Sequence, residues 1–125
     1  METRYGVTQD EWDQTLEEIR EILVSVAKSR GAAGLITYNQ LISRVRTSPI
    51  VQNRYALWQL LNEIAESEDH AGRGMLAALV VQDDKPELKP GAGFFKTAAR
   101  LGRDTTDEKM FWLQETARVY AAHAR

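Results

Sequence analysis

Two apolar stripes with helical spacing, parted by a single Ser48-Pro49 step, constrain this chain more than any other feature. A proline pushes the residue before it out of the helical region, so a helix opening after Thr37 must end near Thr47 and a new one must start past the turn. Thr37 followed by Gln40 has the spacing of a capping box, in which each side chain satisfies the other's backbone N–H, and Leu41 and Val45 then point inward. Beyond the turn, Leu57, Leu60, Leu61 and Ile64 form a second buried stripe that runs to about Asp69. Leu35 and Ile36 give the pair a short extended lead-in.

The flanks extend this pattern. Thr8 with Glu11 is a capping box for a first helix from Gln9 to about Arg30, whose inward residues are Trp12, Leu16, Ile19, Leu23 and Val26, with Gly31 and Gly34 bracketing its stop. Met75 to Val81 (MLAALVV) is short, continuously apolar and ends in two valines, which predicts a buried strand. Asp83-Asp84-Lys85-Pro86 and Lys89-Pro90-Gly91 then form a polar excursion, and Gly93-Phe94-Phe95 returns, predicting a small β-hairpin. Phe94, Phe95, Ala98 and Leu101 take up helical spacing as far as Gly102, and a third box, Thr105 with Glu108, opens a final helix carrying Met110, Phe111, Leu113 and Val119. The expected fold is mainly α with one small β-hairpin, a single domain over 1–125. It divides into an N-terminal helix (1–34), a core (35–95) and C-terminal helices (96–125).

Few chemistries are open to such a chain. It has no cysteine, which removes disulfides, thiolate nucleophiles and sulfur-ligated zinc, and which fits a cytoplasmic protein. Its first twenty residues are acidic and polar, unlike a signal peptide, and its longest apolar run, Met75 to Val81, falls far short of the ~20 residues a membrane-spanning helix needs. His70 and His123 have no companion at a metal-ligand or triad spacing and are expected at the surface. The acidic clusters Glu17-Glu18, Glu66 with Glu68-Asp69, and Asp83-Asp84 are expected as solvated charge on helix exteriors or in loops. Asp83 to Lys89 lacks the alternating acids and central glycine of a calcium loop, and Gly91-Ala92-Gly93 lacks the third glycine of a dinucleotide fingerprint. Those glycines are expected to allow a positive backbone angle and close chain approach at the hairpin's end. The reading is therefore of a non-enzymatic protein, with no catalytic residue, metal or cofactor.

Charge is the remaining signal. The net charge of −2 conceals a division, since Ile22 to Asn62 holds five bases (Lys28, Arg30, Arg44, Arg46, Arg54) and no acid, while Met1 to Glu21 holds seven acids and two bases. Such asymmetry can orient a domain on a polyanion. Of the three tryptophans, Trp58 lies at the edge of the stripe formed by Leu57, Leu60, Leu61 and Ile64, so partial exposure is expected there.

From Leu35 onward the order of lead-in, helix, turn, helix, apolar strand, polar loop and returning strand resembles a winged helix-turn-helix domain. Within that superfold, Ile36-Thr37-Tyr38 followed by Leu41, then Met75 to Val81, then Gly91 with Gly93-Phe94 resemble the C-terminal domain of DNA alkyltransferases and alkyltransferase-like proteins. That family's Pro-Cys-His-Arg signature has no counterpart after Leu79, so the resemblance implies fold and DNA contact without alkyl transfer. The winged-helix resemblance places Gln52, Asn53 and Arg54 toward base edges in double-stranded DNA, and Arg44, Arg46, Lys85 and Lys89 toward phosphates. The rival expectation is a protein-interaction module, an adaptor or inhibitor in a larger bacterial system, that uses the acidic first helix with Trp58 and Trp112 as anchors. A homodimer is expected on either reading, because the terminal helices carry more apolar residues than one small core buries.

Overall fold

The computed structural model describes residues 3–29, 34–83 and 89–124. It opens with a two-rung antiparallel hairpin, β1 (Thr3–Arg4) and β2 (Val7–Thr8), turned by Tyr5 and Gly6. Both turn residues have positive φ, 53° and 86°, the geometry whose twist matches a tight hairpin, and glycine adopts it without a Cβ clash. Tyr5 then stacks on Trp12 with ring centroids 5.9 Å apart.

Helix α1 (Gln9–Ser29) follows, capped by Thr8 Oγ1, which accepts from the Glu11 N–H at 3.1 Å. Trp12, Thr15, Ile19, Leu23, Val26 and Ala27 recur at helical intervals and form its buried stripe. The expected stop at Gly31 lies outside the described residues.

The Ser48-Pro49 step divides the chain as expected. Helix α2 (Tyr38–Arg44) begins with the full capping box: Thr37 Oγ1 accepts from the Gln40 N–H at 3.1 Å and Gln40 Oε1 from the Thr37 N–H at 3.0 Å. It ends at Arg44, three residues earlier than expected, because the chain is already extended at Val45. A 3₁₀ turn over Pro49–Gln52 is capped by Ser48, and Asn53 then caps α3 (Arg54–His70) by accepting from the N–H groups of Tyr55 and Ala56 at 3.0 and 3.2 Å.

Met75 to Val81 lies at the centre of the molecule, at most 7% exposed along its length. Most of it forms a 3₁₀ turn (Leu76–Leu79), and only Val80–Val81 is strand, β4. That strand pairs in parallel with β3 (Ile36–Thr37), Ile36 opposite Val80 and Thr37 opposite Val81. The expected β-hairpin is therefore not formed, and the two-rung parallel sheet takes its place. A segment surrounded by α1, α3 and the last helix, Glu108–Ala122, can be apolar on every side without being a strand, and periodicity alone does not separate the two cases.

The expected returning strand at Gly93-Phe94-Phe95 is instead the first turn of α4 (Ala92–Arg100), which buries Phe94, Phe95, Thr97 and Ala98. Helical spacing overrides the strand signal of two adjacent phenylalanines. The last helix, α5 (Glu108–Ala122), is capped by Asp107, whose Oδ1 accepts from the Met110 N–H at 3.0 Å, so the expected Thr105–Glu108 box is not the cap. Of the apolar residues this helix carries, Phe111 and Val119 are buried, whereas Met110 and Leu113 are 51% and 50% exposed. No described helix is long and apolar enough to cross a membrane.

Candidate functional site

The two ends of α3 have different chemistry. At its C-terminal end the acids expected on the exterior are spent on structure. Glu68, 1% exposed, binds Arg73 through two guanidinium nitrogens and lies 3.6 Å from Arg20 on α1. Glu115 on α5, also 1% exposed, accepts from the Met75 N–H at 2.7 Å and from Arg103 at 2.6 Å, while Arg103 and Arg118 both reach Asp69. Buried carboxylates persist only when paired in this way. Burial opposes the charge on Glu68, but the Arg73 hydrogen bonds and charge, with help from Arg20 and His123, hold its carboxyl below the ordinary range.

His123 was expected at the surface and is buried here, with Nε2 3.7 Å from Glu68 Oε1. Burial, and then the charges of Arg20, Arg73 and Lys28, push the imidazole below its ordinary value against the pull of Glu68. This end is a closed structural network. Among the described residues no group of three or more His, Asp or Glu side chains is placed to hold a metal.

The N-terminal half of α3 forms one wall of a cleft of about 710 Å³. Tyr38 and Ile42 of α2 form another wall, and Gln82, Asp83, Gly91 and Gly93 close it. Two hydrogen bonds hold residues on this side in place. Gln82 N–H donates to the Lys89 carbonyl at 2.9 Å and Asn39 N–H donates to Asp83 Oδ2 at 3.1 Å, while the Gly91 backbone lies beside the Tyr38 hydroxyl. Burial first, and then the nearby Asp83 charge, raise the Tyr38 phenol above its ordinary value and keep it neutral.

Gly93 completes the wall. A Cβ there would lie 1.9 Å from Trp58 Nε1, so only glycine lets the indole rest against this backbone. Close approach was the expected role of these glycines, but the expected positive angle is absent at Gly91, whose φ is −70° as the N-cap of α4. Gln82 also lines the cleft, and its Oε1, withdrawn from solvent, has no hydrogen-bond partner among the described residues.

Two of the seven candidate nucleic-acid-binding residues line this cleft and Asn53 lies between them in sequence. Gln52 and Arg54 line the cleft, are exposed, and have no side-chain partner among the described residues. Asn53 is exposed too, but its Oδ1 is used in capping α3. Arg44 and Arg46 are exposed at and just past the end of α2, and the backbone N–H groups of Arg46 and Thr47 donate to Glu18 at 2.9 and 2.8 Å. Burial works against the Glu18 charge, yet these N–H groups and Arg46 hold its carboxyl below the ordinary range, so one acid of α1 offsets part of the basic edge. Lys89 is exposed, and Lys85 lies outside the described residues.

Trp58 is 43% exposed, the partial exposure its edge position predicts. Trp112 is half-buried on the far side, where its indole N–H donates to the Ala78 carbonyl at 2.8 Å. Neither aromatic neighbour of Trp58 in the cleft, Tyr38 nor Tyr55, stands among the site residues expected from the sequence. Tyr55, 71% exposed, directly follows Arg54 and sits three residues before Trp58, so an aromatic pair at helical spacing beside the capping Asn53 was the available signal. No protein family, curated protein or solved structure matches this chain.

Proposed function

We propose that the protein is a small nucleic-acid-binding module, with DNA as its foremost ligand, built as a helix-turn-helix in which Gln82 and Lys89, joined by a backbone hydrogen bond, stand where a winged domain carries its hairpin. The observation that carries this reading is the free first turn of α3. Gln52, Arg54 and Tyr55 project there without structural partners among the described residues, and the exposed Arg44 and Arg46 lie at the end of the preceding helix. Guanidinium groups neutralise phosphates and release counterions, while Gln52 and Arg54 have the donors and acceptors to read base edges. The Gln82 N–H bond to the Lys89 carbonyl ties the exposed Lys89 to a residue of the cleft lining, on the side where a winged domain carries its wing.

The test is fluorescence anisotropy of labelled DNA across a salt series. Binding should weaken steeply with salt, and replacing Arg44 and Arg46 together with alanine should flatten the log–log slope by about 2, one unit for each phosphate no longer neutralised. Absence of binding at low salt overturns the reading.

One observation favours a second reading. Tyr55 and Trp58 are exposed beside Ile42 in the cleft, and aromatic side chains in a concavity are the usual anchors of protein interfaces. A stable protein partner that protects Trp58 from solvent, together with indifference to nucleic acid, would select it.

A further inference from the structure

We propose that the cleft receives unpaired nucleobases, so that the protein prefers single-stranded nucleic acid to duplex. This rests on the nucleic-acid reading above and names the substrate class of that same surface. A helix that reads duplex DNA must project into a major groove about 12 Å wide and present amides or guanidinium groups to the base edges. The N-terminal half of α3 offers one such group, the Arg54 guanidinium, and otherwise differs. It forms the wall of a concavity, and its outward side chains near that wall are largely aromatic: Tyr55 and Trp58, 71% and 43% exposed and about one turn apart.

Asn53, the residue best suited to grip an adenine edge with both amide atoms, has its oxygen committed to the N–H groups of Tyr55 and Ala56. What remains is a stacking surface with Arg54 at its rim. Trp58 is fixed against the backbone of Gly93, which lowers the cost of ordering the ring when a base stacks on it. A paired base offers no open face for such stacking.

The experiment compares three labelled strands of equal length at one low salt concentration: an oligothymidylate, the same backbone with abasic sites, and a duplex. The oligothymidylate should bind about tenfold or more tightly than either of the others, and Tyr55→Ala should remove about tenfold of that affinity. Tyr55 is largely exposed, so the variant should melt like the parent and its weaker binding reports a direct role in holding the strand. Equal or tighter binding to duplex, equal binding to the abasic strand, or an unaffected Tyr55→Ala variant overturns the single-strand inference while leaving nucleic-acid binding standing. Failure of all three strands to bind overturns both.

Discussion

Helix α3 contrasts a closed end with an open one. At its C-terminus Glu68 and Asp69 are tied to Arg20, Arg73, Arg103 and Arg118, and the nearby Glu115 is tied to Arg103 and the Met75 backbone. At its N-terminus Arg54, Tyr55 and Trp58 meet solvent, and the nearest acid in the lining, Asp83, is used by the Asn39 N–H. The same kinds of residue thus do opposite jobs on one helix. Charges withdrawn from water must be paired to be tolerated, whereas charges and aromatics left in water without partners remain available for a ligand.

Breaking the closed end should have the largest effect. Glu115→Ala leaves Arg103 without its closest partner and the buried Met75 N–H without an acceptor, and should lower stability by about 3–5 kcal/mol in urea unfolding. A decrease under about 1 kcal/mol would show that the network is solvated and that the two ends do not differ in the way described.

Gly93→Ala probes the join between the open end and the core. Its Cβ cannot coexist with the present position of Trp58, so the indole must swing outward. The expected cost is about 1–3 kcal/mol, as for other overpacked sites, with a red shift of tryptophan emission as Trp58 becomes more exposed. An unchanged spectrum would mean that the indole is not seated on this glycine.

A pair of neighbours sharpens the contrast at single-residue scale. Asn53→Ala removes the cap of α3 and should cost about 1 kcal/mol of stability, whereas Arg54→Ala should alter stability by less than about 0.5 kcal/mol and reduce affinity for nucleic acid instead. Equal effects on both properties would erase the distinction between a structural and a ligand-facing residue.

The smallest effect expected is a pH dependence confined to the closed end. His123 is depressed in the folded protein, so the unfolded chain takes up its proton first, and stability should begin to fall as pH drops past the ordinary value of 6.5 toward the lower folded value. Glu68 is also depressed, so its contribution is present above its ordinary value of 4.5 and is lost only as pH falls through its lower folded value. His123→Phe should remove the earlier decline and leave the later one, as read from melting temperatures between about pH 7.5 and 2. A profile flat over that range would mean that neither group is perturbed.

The local chemistry of the chain was readable from its residues. Thr37 with Gln40, the Ser48-Pro49 step and the stripes of α1 and α3 are interactions among neighbours in sequence, so spacing alone reveals them. The exposed position of Trp58 followed from its place beside Leu57 and Leu60, and so did the clustering of Gln52, Asn53 and Arg54 at the head of α3. The role of Asn53 was less clear, because a capping amide and a base-reading amide look alike until the N–H groups of Tyr55 and Ala56 are seen to occupy it.

Tertiary structure decided what depends on partners far along the chain. Met75 to Val81 is apolar whether it becomes a strand or a buried 3₁₀ turn, and only its enclosure by α1, α3 and α5 and its parallel rung with Ile36 and Thr37 settle which. Glu68 and His123 read as surface residues until Arg73 and Arg20 arrive beside the one and Glu68 beside the other, since a sequence states charge but not desolvation. Tyr38 and Gly93 acquire their place in the cleft from residues tens of positions away. Helical spacing and capping are short-range and are written in the sequence, whereas burial and pairing are settled only when distant segments meet.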